Sequence, residues 1–416
     1  MEYLSINGGK PLNGSVEVAG AKNAALPACV ATLLTDEPVL LRRVPRLRDC
    51  RTILATVASL GKKVKRSDET VEIDHGEALT GEPEARYVAQ MRASFLVLGP
   101  LLARLGEATV PLPGGCTIGP RPIDLHLEGL RQLGADIETR PDSVSARARR
   151  LKGTKVRLSY PSVGATEQLV MTATLARGET VIENPAREPE IDDLVCLLKK
   201  MGAEIEFAEG KIAVQGSDIL HGAEHTVIPD RLEAGTYLLA GAITMGEVEV
   251  RDLVPSHLQS LLEVLDQAKI DLSAGDNSIA LRGGKRGQGV NVSTAPYPGF
   301  PTDLQPPLVA FLCLADGNSR VCENVFEHRF GYIESLKKMG ALVKTEDCTA
   351  YIEGASTLNG TDVKATDIRA GAALVLAGLA AEGHTRVAGL ESIDRGYASI
   401  ERKLRSLGAK IERREK

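Results

Sequence analysis

A unit of about 70 residues recurs six times along this 416-residue chain, and that repetition restricts the fold more than any single motif does. One half of the unit is an amphipathic helix, a stop and an alternating strand. It reads ILATVASLGKKVK, LEGLRQLGADIE, LVCLLKKMGAEIE, LLEVLDQAKIDLS, IESLKKMGALVK and IERKLRSLGAKIE. Apolar residues at helical spacing, then Gly, then period-two alternation predict helix followed by strand in each copy. The fourth copy carries Lys269 where the others carry Gly and is the weakest match. The other half is a helix of small and apolar residues followed by a turn and a β-branched strand, as in LEAGTYLLAGAITMGEVEV and IRAGAALVLAGLAAEGHTRVAG. Several of these helices are apolar nearly all round, so they must be enclosed on most sides, and they are too short to span a bilayer. The chain exceeds the roughly 250–300 residues at which one core stops growing. Six copies therefore predict an α/β protein with three units in each of two domains, divided near Asp230, where the fourth copy begins. A cleft between two such halves is a favoured place for a ligand.

Composition removes several classes of function. A net charge of −5, 3% aromatic residues and no Trp argue against nucleic-acid and acidic-membrane partners. The seven cysteines, at 29, 50, 116, 196, 313, 322 and 348, are scattered and form no CxxC pair. That pattern predicts reduced thiols rather than a disulfide framework or a zinc site. No basic and apolar leader opens MEYLSINGGKPLNG, and no apolar run approaches a membrane span, so a cytoplasmic protein is expected. His221 and His225 are four apart, but Gly222 lies between them and no acidic constellation follows, which favours a solvated loop over a metal pair. GGKRGQG at 283–289 fits neither a Walker loop nor a dinucleotide fingerprint and reads as a turn. No metal and no cofactor are expected.

Polar groups gather at the starts of the apolar helices. Lys22 and Asn23 precede the first, Arg92 the second, Asp230 and Arg231 the fourth, Asp303 the fifth, and Asp367 with Arg369 the sixth. Helix N-termini suit anions, yet an Asp at a helix start is most often a cap. A second feature is the loop from Pro113 to Pro122, which sets Cys116 among three glycines and three prolines, five residues before Arg121. Two readings fit that loop alone. One is a thiol placed for reactivity beside backbone NH groups and a cation; the other is a structural thiol packed under a turn.

The run PGGCTIGPRPIDLH resembles the catalytic loop of the UDP-N-acetylglucosamine enolpyruvyl transferase family. VAGAKNAALP, PSVGATE, ENPAREPEI, PGFPTDLQ, FEHRFGYI, ATDIRAGAALVLAGL and IDRGY match the same family in order, so the resemblance spans the whole chain. It implies a two-domain inside-out α/β barrel of six units, three per domain. The divisions would be 1–21 with 230–416, and 22–229, the first strand crossing to the C-terminal half. It implies transfer of the enolpyruvyl group of phosphoenolpyruvate to the 3-hydroxyl of UDP-N-acetylglucosamine with release of phosphate, in bacterial cell-wall synthesis. By the same resemblance Lys22, Arg121 and Arg395 hold phosphoenolpyruvate, supported by Arg329, Asp367 and Arg369. Asn23, Arg92, the segment Arg121, Pro122, Ile123, Asp124 and Leu125, with Asp303 and Val325, hold the sugar nucleotide. Cys116 would protonate the methylene carbon, and can add covalently to its neighbour, while Asp303 would accept the proton of the attacking hydroxyl. In this family the epoxide fosfomycin alkylates the loop thiol.

Two positions depart from the family pattern: Tyr160, where some relatives have Lys, and His328, where Asn is common. The sister family that uses shikimate 3-phosphate shares the repeats but lacks the PGGC loop. A phosphate cyclase acting on RNA ends has related repeats without these motifs. An inactive binding paralogue would be expected to lack Cys116, Asp303 or Lys22, and all three are present.

Overall fold

In the computed structural model, which describes residues 2–114 and 122–415, the first five repeats build the same ladder of elements. An apolar helix leads to a strand, an amphipathic helix follows, and a hairpin closes the unit. In the fourth copy these are Arg231–Ile243, Glu247–Arg251, Gln259–Gln267 and the pair Asp271–Ala274 and Ser278–Arg282. The strand after the apolar helix sits inside its sheet. Glu247–Arg251 pairs antiparallel with Ser278–Arg282 on one side and parallel with Asn13–Glu17 on the other. Val248 and Val250 alternate inward along it while Glu247 and Arg251 face out, the period-two signature of a half-buried strand.

The described residues form six sheets, five of four strands and one of three, in two compact units. Of the described residues, those up to Ala19 and from Pro229 onward form one, and those between Gly20 and Ile228 the other. In the unit that contains Pro229–Lys416, the helices Arg231–Ile243, Gln305–Leu312 and Ile368–Ala380 pack on one another, and three sheets cover them. Nearly every residue of these helices is buried, including Tyr237, Leu238, Phe311 and Leu374. Close approach needs small residues: a Cβ on Gly235 would stand 2.6 Å from Leu304 Cδ1. In the other unit the buried helices are Lys22–Ala31, Val163–Ala173 and Leu98–Leu105, the last entered through a 3-10 turn at Arg92–Val97.

The N-terminal strands complete sheets that the repeats leave short. Glu2–Asn7 lies between His384–Ala388 and Lys410–Glu415, antiparallel to both, and so supplies the hairpin partner that the sixth copy lacks. Conversely, Ala223–Thr226 pairs parallel with Val39–Arg42 in the sheet of the first copy. Hydrophobic periodicity identifies these strands but carries no information about which distant strand they join.

The helix stops agree across the six copies to a degree that the sequence hides. Gly61, Gly134, Gly202, Gly340 and Gly408 all have positive φ, between 88° and 108°, and Lys269 adopts the same left-handed turn at 61°. Lys269 NH donates to the Asp266 carbonyl at 2.8 Å, as a stop residue should. A side chain in this region costs roughly 1–2 kcal/mol. Lys269→Gly is therefore expected to raise the denaturant midpoint, with a gain of about 1 kcal/mol offset in part by the greater freedom of Gly in the unfolded chain. A lower midpoint in equilibrium unfolding would show that the Lys269 side chain contributes contacts that outweigh the strain.

Candidate active site

Three of the apolar helices begin with an aspartate, and the structure separates them. Asp230 Oδ1 accepts from the NH groups of Leu232 and Glu233 at 2.9 and 3.0 Å, and Asp367 Oδ1 accepts from Arg369 and Ala370 at the same distances. Both are N-caps. Asp303 lies inside the 3-10 turn Thr302–Leu304 ahead of Gln305–Leu312, and no side chain caps either element. Its carboxylate instead spans two arginines. Oδ1 accepts from Arg329 Nη2 at 2.8 Å, and Oδ2 accepts from Arg369 Nη2 at 3.0 Å and Nε at 3.2 Å.

Both guanidiniums are buried, at 3% and 4% exposure, so this carboxylate is what makes their charge tolerable. Among the described residues, Arg329 Nε has no hydrogen-bond partner. Arg369 is held further by the hydroxyl of Tyr397, which accepts from Nη1 at 3.0 Å and meets Thr236 Oγ1 at 2.8 Å. Burial opposes the charge of Arg369, but Tyr397, Asp303 and Asp230 together hold the guanidinium above its ordinary value. Gly396 makes this approach possible, because a Cβ there would fall 2.3 Å from Ile368 Cγ2. Arg395, half-buried, precedes that glycine in the same turn.

A second acid organises the neighbouring segment. Glu323 is buried, and its Oε1 accepts from Thr294 Oγ1 and Val325 NH, both at 2.9 Å, and from Phe326 NH at 3.1 Å. Oε2 accepts from Thr302 Oγ1 at 3.0 Å, so one side chain ties Val325 to the residue before Asp303. Neither Glu323 nor the roles of Tyr397 and Thr236 were read from the sequence. Tyr397 lies in the quoted IDRGY run, whereas an isolated Glu after a strand carries no signal of its own.

In the unit from Gly20 to Ile228, one of the three apolar-helix starts carries a side-chain cap, against two of three, at Asp230 and Asp367, in the other unit. Lys22–Ala31 and Arg92–Val97 begin without a side-chain cap, and only Val163–Ala173 has one, from Ser162 at 3.4 Å. NH groups at a helix start with adjacent cations are the arrangement that binds phosphate and carboxylate. Lys22 Nζ meets the buried Asp49 at 3.4 Å, and Asn23 is half-buried in the same turn. Arg92 Nη2 donates to the Pro122 carbonyl at 2.6 Å, fixing the end of the loop where Asp124–Gln132 begins. Pro122 and Asp124 are exposed; Ile123 and Leu125 are half-buried. Cys116 and Arg121 lie outside the described residues.

Beyond these groups, the two histidines of the possible metal pair have separate carboxylate partners, His221 with Glu37 and His225 with Asp193, each at 3.0 Å. Among the described residues no group of three ligands for a metal occurs, and no helix is long and apolar enough to cross a membrane.

Residues 6–404 match the family model described as EPSP synthase (3-phosphoshikimate 1-carboxyvinyltransferase). UDP-N-acetylglucosamine 1-carboxyvinyltransferase 2 of Carboxydothermus hydrogenoformans is 49% identical over 416 residues, covering 99% of each chain. UDP-N-acetylglucosamine 1-carboxyvinyltransferase of Geobacter metallireducens is 47% identical with the same coverage. The crystal structure of the enolpyruvyl transferase NikO of Streptomyces tendae superposes with a TM-score of 0.89 at 25% identity, covering 99% of this chain and 98% of the other.

Two predictions come from this geometry. Asp230→Asn should cost less stability than Asp303→Asn, since Asn keeps the cap and only the longer-range attraction of Asp230 for Arg369 is lost. Asp303→Asn should lower stability by about 1.5–3 kcal/mol, the worth of a charge-assisted bond to a buried guanidinium. Equal unfolding midpoints for the two variants would assign Asp303 no electrostatic role. The second concerns Glu167, whose carboxyl is raised well above its ordinary value by burial and by the charges of Glu190 and Glu188. The unfolded chain loses this proton first, so stability falls as pH rises from the ordinary carboxyl value through the raised one. Glu167→Gln should thus gain melting temperature over the parent between about pH 5 and pH 8, and a constant difference across that span would mean that Glu167 is ionised when folded.

Proposed function

The chain belongs to the UDP-N-acetylglucosamine 1-carboxyvinyltransferases, within the wider EPSP synthase family, and from that premise we propose that it moves the enolpyruvyl group of phosphoenolpyruvate to the 3-hydroxyl of UDP-N-acetylglucosamine. It is an enzyme and an enolpyruvyl transferase. The observation that carries the residue-level reading is the Asp303 carboxylate, fixed by Arg329 and Arg369 at a helix start where an aspartate ordinarily only caps.

An arginine-held carboxylate cannot rotate away from a substrate hydroxyl, so it is an oriented proton acceptor. In this reading Asp303 takes the proton of the sugar 3-hydroxyl as oxygen attacks the central carbon of phosphoenolpyruvate. Cys116 gives a proton to the methylene carbon, which leaves the adjacent carbon electrophilic. Lys22, Arg121 and Arg395 neutralise the carboxylate and phosphate. Loss of phosphate and of one methyl proton from the tetrahedral adduct then yields the enol ether. Asn23, Arg92, the segment from Arg121 to Leu125 and Val325 position the nucleotide.

Release of inorganic phosphate should require both substrates and cease when either is omitted; release driven by shikimate 3-phosphate in place of the nucleotide would overturn the substrate assignment. Cys116→Ser should abolish or severely reduce that release, and fosfomycin should label Cys116 alone in a peptide map. Label found mainly on Cys29 or Cys313 would refute the thiol assignment. Asp303→Asn is expected to lose about 10²–10⁴-fold in turnover, the range for a general base.

A further inference from the structure

One pair of thiols outside this chemistry is arranged for reaction. Cys322 ends the strand Asn318–Cys322, and Cys348 lies in the hairpin turn between Leu342–Glu346 and Thr349–Glu353. The strands are in register with Cys322 opposite Thr349, and Asp347, at a φ of 49°, turns the chain so that the two sulfurs come to 3.8 Å. Cys348 is exposed and Cys322 half-buried. The other described thiols lack one or both properties. Cys29, Cys50 and Cys313 are buried, and burial pushes the thiols of Cys50 and Cys313 up to about 12; Cys196 is exposed on the helix Pro189–Lys200, in the other unit.

We propose that Cys322 and Cys348 form a reversible oxidation site whose disulfide weakens the hold on the sugar nucleotide and so lowers turnover below saturation. A disulfide needs its sulfurs about 2.05 Å apart, so each must move by only about 1 Å. With hydrogen peroxide as oxidant, the exposed Cys348 thiolate attacks one peroxide oxygen. That oxygen becomes the sulfenic hydroxyl and the other leaves as water. The Cys322 thiolate then attacks the sulfenic sulfur and expels a second water. In sum two thiols lose two protons and two electrons, and one peroxide becomes two waters.

The consequence follows from what adjoins the pair. As a thiol, Cys322 donates to Asn324 Oδ1 at 3.3 Å, a bond that the disulfide removes. Glu323 NH donates to the Cys348 carbonyl at 2.7 Å, so the turn and the Glu323 backbone move together. Glu323 is the acid that holds Val325, Phe326 and Thr302, the last being adjacent to Asp303. Pulling the two sulfurs together thus acts on the support of Val325 and Asp303. The effect on turnover rests on the proposed function, whereas disulfide formation does not.

The test uses the full-length protein treated with hydrogen peroxide, capped with an alkylating agent and mapped without reduction, alongside Cys348→Ser, a conservative change at an exposed position. The expected map contains a peptide linking 322 to 348 that dithiothreitol abolishes and that Cys348→Ser lacks. The reduced variant should turn over like the parent. After peroxide, the parent should show a several-fold rise in KM for UDP-N-acetylglucosamine that dithiothreitol reverses and that the variant does not show. Separate alkylation of both thiols after peroxide overturns the site. Formation of the link with parallel loss of activity in parent and variant overturns its effect on turnover.

Discussion

Apolar helices, several of them buried on nearly every face, set the terms for the rest of this molecule. Such a helix gains nothing from a single amphipathic contact, so three must share one interior, and sheets must close around them. That is the arrangement within the unit holding Arg231–Ile243, Gln305–Leu312 and Ile368–Ala380. Once the flanks are buried, the helix ends are the places left for polar chemistry. Lys22, Arg92, Asp230, Asp303, Asp367 and Arg369 all stand at such ends.

Burial of this kind would be prohibitive for cations without compensation. Arg329 and Arg369 are almost fully enclosed, and an isolated charge there would cost several kcal/mol. Asp303 removes most of that cost through three charge-assisted bonds, and Tyr397 adds a fourth contact to Arg369. The arginines in return fix the carboxylate in one orientation. Stability and chemistry are coupled in this cluster, so a change at Asp303 cannot be read as purely catalytic or purely structural without measuring both.

Much of this was legible in the sequence because it rests on local pattern. Helix–stop–strand periodicity located the six copies, and the helix starts included Arg369, one of the two arginines that meet Asp303, while Arg329 came from the resemblance alone. Lys269 looked like a flaw in the fourth copy, yet its backbone adopts the same left-handed turn as the five glycines. The pattern registers residue type, whereas the fold requires only a dihedral angle. What stayed hidden depends on partners distant in sequence. The pairing of Glu2–Asn7 with Lys410–Glu415, the hold of Glu323 on Thr302 and the contact of Tyr397 with Arg369 have no local signature.

The three aspartates show how repeated architecture accommodates a function without being rebuilt. Asp230 and Asp367 accept from the first NH groups of their helices and stabilise the repeat as caps, Asp230 also favouring the charge of Arg369. In the fifth copy a 3-10 turn, Thr302–Leu304, precedes the helix, and Asp303 lies within that turn instead of at the capping position. The carboxylate thereby caps neither the turn nor the helix and meets Arg329 and Arg369, each supplied by a different stretch of the chain. One local change of helix geometry therefore converts a structural residue type into an oriented anion, while the apolar body of the helix, which fixes the fold, is left untouched.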